Sequence, residues 1–191
     1  MNTVPRYGED SPEVNALVAR VSAIFIEEVG HFVTSRGGRY AAGFWGMTTH
    51  QGFGRRLGAL PSGRRVGRAL GNGAAPCTGW DTLGPTASLS SVASVTTPPN
   101  GCVINQTLDP AFVRGEAGQA IFEGLLTGYF AKGGSQVQFN ILDPEVLRAA
   151  RRCPEQHRDL VVRISGYSAY FNDLTEDMKD EIISRSLHGA C

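Results

Sequence analysis

Few side chains in this 191-residue sequence are spaced to do chemistry by themselves. The cysteines, Cys77, Cys102, Cys153 and Cys191, form no C-x-x-C pair, and His31, His50, His157 and His188 lie nowhere near them at ligand spacing, so no metal site is expected. Cys102 follows Gly101 and could act as a nucleophile, but no neighbouring residue supplies a base or depresses its pKa. Carboxylates pair at Glu27-Glu28 and in the last helical segment, where they read as solvated faces. There is no phosphate-binding G-x-x-x-x-G-K-[ST], no G-x-G-x-x-G after a strand and no G-x-S-x-G elbow. What remains is Val161-Val-Arg-Ile-Ser-Gly166-Tyr-Ser-Ala169. Taken alone, its Ser-Gly-Tyr is a glycine in a tight turn after a strand.

The elements around that turn alternate. Val14, Leu17, Val18, Val21, Ile24, Phe25 and Phe32 recur at helical steps after Ser11-Pro12, and Gly37-Gly38 stops the run. Residues 39–47 read as a short aromatic-rich strand. From Gly52 to Pro85 glycine and proline leave no room for a helix of normal length, and so long a loop in a compact domain is functional or a sign that the domain is incomplete. A short helix is expected near residues 88–95, a strand near 103–107 and a helix over about 118–131. Asp143-Pro144 opens a helix to about Arg152, and residues 159–164 form a strand. A last helix starts near Thr175, with Asp173 and Glu176 in capping-box-like spacing and Met178, Ile182, Ile183 and Leu187 on its apolar side. The pattern predicts an α/β fold.

Between 133 and 142 the chain alternates strictly. Gln136, Gln138 and Asn140 point one way, Val137, Phe139 and Ile141 the other. The polar set either faces solvent or forms a buried hydrogen-bonding face around a loop.

Hydrophobic residues make up 41% and charged residues 19%, which excludes intrinsic disorder. Glycine is in excess at 24 residues without a G-x-y period, so collagen is excluded. The net charge of zero conceals an uneven distribution. Arg36, Arg39, Arg55, Arg56, Arg64, Arg65 and Arg68 fall in a stretch, 29–80, with no acidic residue. Such an arm binds nucleic acid or phosphate, or docks against protein. No aromatic-interleaved basic helix supports the first, so no nucleic acid partner is expected. No apolar run approaches the roughly 18 residues of a membrane span and no signal-peptide pattern opens the chain, so a cytoplasmic protein with reduced thiols and no membrane partner is expected.

The segment 161–169 resembles, position by position, the signature of the glycyl radical enzymes, the pyruvate formate-lyase family. So do Arg6-Tyr-Gly8, Gly58-Ala-Leu-Pro-Ser-Gly-Arg64, Gly73 to Pro76, Gly84-Pro-Thr-Ala87, Gly133-Gly134 with Gln138 and Asn140, Asp143, Pro154-Glu155, Phe171-Asn-Asp-Leu-Thr175 and Asp180-Glu-Ile-Ile-Ser-Arg185. Pro61-Ser62-Gly63-Arg64, where the family usually has P-D-G-R, looks closer to the dehydratase-like or hydrocarbon-succinate branch than to pyruvate formate-lyase itself. The resemblance implies the C-terminal part of a glycyl radical enzyme α/β barrel, ending in the radical loop and a helix. Residues 1–131 would be an incomplete barrel part and 132–191 the glycyl radical domain.

By the same resemblance Gly166 is converted to a backbone radical. A radical at Cα is stabilised when the amide nitrogen and the carbonyl flank it in one plane, and only glycine lacks a Cβ to crowd that arrangement. No cofactor is bound. A separate activating enzyme with S-adenosylmethionine and an iron–sulfur cluster installs the radical. Arg163, Tyr167, Gln138 and Asn140 would support the loop. The family's upstream cysteine motif, G-C-x-E, is missing, since Gly101-Cys-Val-Ile104 lacks the glutamate. The chain therefore resembles the radical-bearing part of a lyase- or dehydratase-type enzyme, passing the radical to a cysteine on a partner chain or an upstream half. The alternative is a stand-alone spare carrier that complements an oxygen-damaged enzyme, although that kind of carrier matches only from about Lys132 onward. A homodimer is allowed in the complete enzyme.

Overall fold

A computed structural model describes residues 4–185. Leu187, His188 and Cys191 lie outside the described residues. Helix α1, Pro12–Gly30, begins at the proline, whose missing N–H and preset φ suit a first helical position. Its inner side carries Ser22, whose hydroxyl lies within hydrogen-bonding reach of the Val18 and Ala19 carbonyls and accepts from the Thr96 N–H. The stripe Leu17, Val21 and Ile24 stays 60%, 58% and 51% exposed.

The strand expected over 39–47 does not form. That stretch makes only single bridges, Val33 with Arg39 and Phe44 with Cys102. At its end Gly46 packs directly against Asn72 and the Gly73 amide of the glycine-rich arm, where a Cβ would clash. Helix α2, Thr49–Arg56, spans eight residues and reaches into the stretch read as helix-poor.

No helix or strand follows until residue 85, and the loop is held from inside. Arg64, 4% exposed, donates to the carbonyls of Arg65 (2.8 Å), Arg68 (2.9 Å), Leu57 (3.1 Å) and Gly54 (3.3 Å). One planar guanidinium so satisfies backbone acceptors that a helix would have paired internally. At Gly73, φ +63, a Cβ would run into the Val103 carbonyl, so glycine is required there by both torsion and space.

Helix α3, Pro85–Ala93, precedes strand β1, Asn105–Leu108; helix α4, Gly115–Ala131, then crosses to strand β2, Gln138–Ile141. The two strands pair in parallel, Asn105 opposite Gln138 and Leu108 opposite Ile141. Leu89, Val92, Ile104, Leu108, Leu125 and Tyr129 form a first apolar cluster.

Helix α5, Pro144–Arg152, is capped by Asp143, whose carboxylate accepts from the Glu145 N–H at 2.8 Å. Strands β3, Val161–Arg163, and β4, Ser168–Tyr170, form an antiparallel hairpin ahead of helix α6, Glu176–Arg185. At the start of α6 it is Thr175, not Asp173, whose side chain receives the Met178 N–H, because Asp173 is taken into a 3-10 turn. Leu147, Ala150, Val162, Ile164, Phe171, Met178 and Ile182 form the second cluster.

The result is a small mixed α/β fold of two two-stranded sheets. No barrel closes among the described residues, since two paired strands cannot curve into one. None of the described helices is long and apolar enough to cross a membrane.

Candidate functional site

Gly166 occupies the tip of the β3–β4 hairpin. Val161 pairs with Tyr170, Val162 with Ala169 and Arg163 with Ser168, and the Ile164 N–H donates to the Tyr167 carbonyl at 2.9 Å. Ser165 and Gly166 are left as the two-residue loop. Gly166 has φ +79, and a Cβ built on it meets nothing within 4 Å. Torsion and not space asks for glycine here. The planar arrangement expected for a radical is therefore not the one the turn holds, because this φ swings the glycine carbonyl far out of the preceding peptide plane.

The polar face of β2 meets this hairpin and not solvent. Asn140, 6% exposed, donates to the Arg163 carbonyl and accepts the Arg163 N–H. The Gln138 Oε1 accepts from the Gly166 N–H at 3.2 Å and from the Arg163 Nε at 3.1 Å. Arg163 continues to the Ser168 hydroxyl at 3.2 Å. Of the four supports named from sequence, the side chains of Gln138, Asn140 and Arg163 converge on the tip. The Tyr167 ring is 37% exposed and serves through its backbone.

Sequence reasoning missed Asn72. The Ser165 hydroxyl donates to its Oδ1 at 3.4 Å, tying the tip to the glycine-rich arm. Asn72 lies in an irregular loop, where no period marks which side chain turns inward.

The arginine arm faces the last helix. His50 Nε2 sits 2.6 Å from Glu181 Oε1, both buried; Gln51 also binds Glu181, and Arg55 pairs with Asp177. A cleft of about 750 Å³ is lined by Arg6, Arg65, Arg68 and Trp80 together with Asp177 and Asp180. The basic stretch thus meets acidic residues of the same chain. Cys102 is buried, and burial pushes its thiol up, which makes it a poor nucleophile. Among the described residues no group of three or more His, Cys, Asp or Glu could hold a metal ion.

The Glycine radical family model matches residues 70–172, a span that contains Asn72, Gln138, Asn140, Arg163 and Gly166. The chain belongs to the glycyl radical family. It is 38% identical over 197 residues to the probable dehydratase YbiW of Escherichia coli (strain K12), covering 98% of this chain and 24% of that protein. It is 36% identical over 186 residues to the trans-4-hydroxy-L-proline dehydratase of Clostridioides difficile, covering 97% of this chain and 24% of that one. The solved glycerol-bound B12-independent glycerol dehydratase of Clostridium butyricum superposes with a TM-score of 0.91 at 35% identity, over 96% of this chain and 24% of that structure. The glycyl radical chain described here spans about a quarter of the length of these relatives, matching their C-terminal part.

Proposed function

We propose that Gly166 carries a backbone radical, installed by a separate S-adenosylmethionine and iron–sulfur activating enzyme, and that the radical passes to a cysteine borne outside these 191 residues. The observation that carries this reading is the exposed hairpin tip within the matched span, with the Gly166 N–H held by Gln138. The buried, unactivated Cys102 supports a thiol supplied from elsewhere. So does α1, since Leu17, Val21 and Ile24 form an apolar stripe that further protein would cover. The reaction is of the dehydratase or lyase type, by analogy with the relatives. In this reading 132–191 is the glycyl radical domain and 1–131 the barrel-derived part, with the β1–β2 pair and the first apolar cluster joining the two across that boundary.

Two arrangements deliver the same chemistry. The chain is the radical-bearing part of a larger enzyme, or it is a separately supplied carrier that complements an oxygen-damaged one.

Anaerobic incubation with an activating enzyme that works on relatives, plus reductant, should yield an electron paramagnetic resonance doublet that Gly166→Ala abolishes. Air should then cut the chain at Gly166. Absence of the doublet from wild type would refute the reading. Recovered turnover on adding the chain to an oxygen-cleaved relative identifies the carrier arrangement.

A further inference from the structure

The φ of +79 at Gly166 has a chemical consequence. A Cα radical is stabilised by the preceding peptide nitrogen when the Cα substituents lie in that peptide's plane, with φ near 0° or 180°, because amide resonance keeps the nitrogen π density normal to the plane. In this hairpin the Gly166 carbonyl carbon itself stands close to that normal. Neither Cα–H bond can then occupy it, so a bond broken here begins with little help from the nitrogen.

Two contacts hold the twist. The Ile164 N–H to Tyr167 carbonyl bond fixes the chain after Gly166. The Gln138 Oε1 takes the Gly166 N–H and so fixes the Ser165–Gly166 peptide plane. That oxygen is itself steadied by Arg163 Nε, which is in turn tied to Ser168. With both flanks held, φ has little freedom to move.

We infer that Gln138 is a positioning residue that pins the Gly166 peptide in a twisted geometry, making the radical slower to install and readier to leave. The inference rests on Gly166 being the radical carrier. On installation the Gly166 Cα–H bond breaks homolytically. The hydrogen atom passes to a carbon-centred radical that the activating enzyme makes from S-adenosylmethionine and one electron of reductant, and the unpaired electron stays on Cα. On transfer, Cα takes a hydrogen atom from the partner's cysteine thiol. The glycine returns to its closed shell and the sulfur keeps the unpaired electron. A radical twisted about φ keeps spin off the preceding peptide nitrogen and favours this second step.

The test uses the full chain with Gln138→Met, which keeps the length but loses the acceptor, and Gln138→Glu, which keeps the oxygen. Amide exchange of Gly166, followed by nuclear magnetic resonance before activation, should quicken several-fold in Gln138→Met and match wild type in Gln138→Glu. After anaerobic activation the Gln138→Met doublet should be narrower, because spin spreads into the relaxed peptide, and it should reach full intensity sooner. Gln138→Glu should restore both properties. Should Gln138→Met not fold, Gln138→Asn withdraws the oxygen by one methylene and is read the same way. Unchanged amide exchange overturns the inference, as does a wild-type splitting in a variant whose exchange has quickened. If wild type gives no doublet the radical reading itself falls and takes the inference with it, while the amide exchange still reports whether the pin exists.

Discussion

The side chain of Asn140 pairs with the backbone of Arg163 at both polar groups, donating from Nδ2 to the carbonyl at 2.8 Å and receiving the N–H on Oδ1 at 3.1 Å. One carboxamide thus stands where a further strand would pair with β3, and it couples the parallel pair to the glycine hairpin.

Asn140→Leu should therefore cost about 2–3 kcal/mol, because it strips partners from a donor and an acceptor that have no ready replacement. Urea denaturation measures the loss. A cost below about 0.5 kcal/mol would mean that water replaces the carboxamide freely.

Arg64→Lys should not rescue Arg64→Ala. A single ammonium cannot reach the carbonyls of Gly54, Leu57, Arg65 and Arg68 at once, whereas the guanidinium fork does. Both variants should lose about 2–4 kcal/mol, with hydrogen exchange quickening first between residues 54 and 70. Protection equal to wild type in the lysine variant would contradict the inside-out account of this loop.

His50→Ala leaves the Glu181 carboxylate buried with one partner fewer. The expected cost is about 3 kcal/mol, as for one member of a buried pair removed. The double variant His50→Ala, Glu181→Ala should cost less than the sum of the singles, and a thermodynamic cycle reads the coupling. Strict additivity would show that the two residues do not interact across the arm and α6.

Alkali should destabilise the fold before it affects the unfolded chain in any specific way. Burial pushes Tyr129 from 10.0 up to about 12, and raises Tyr7 and the Cys102 thiol as well. These groups hold their protons more tightly folded than unfolded. Their contribution is fully present below the unfolded values and is lost as pH rises through the folded ones. Stability should decline from about pH 9 upward and most steeply between 10 and 12. A flat profile there would show that these side chains are as accessible folded as unfolded.

Much of the local structure was legible from neighbours alone. Ser11-Pro12 and Asp143-Pro144 placed two helix starts to the residue, because proline at the first helical position acts within one turn, joined at Asp143 by a side-chain cap. The β2 alternation marked Gln138 and Asn140 as one face. It could not say what that face meets, since solvent and a hairpin over twenty residues further along impose the same period. The 39–47 stretch failed as a strand because pairing depends on a neighbour, and Gly46 lies against Asn72 and Gly73 instead.

For this protein the amino-acid order alone determined the family likeness, the candidate glycine, the missing cysteine motif and the uneven charge, all of which are properties of residue type and spacing. Only the tertiary structure decided that Gly166 sits twisted at an open tip, that Gln138 and Asn140 hold it, and that Arg64 organises the arm from inside. It also decided that the basic stretch meets the acidic side of α6. Each of these depends on contacts between residues far apart in sequence, and on torsions that only the closed hairpin can hold against relaxation.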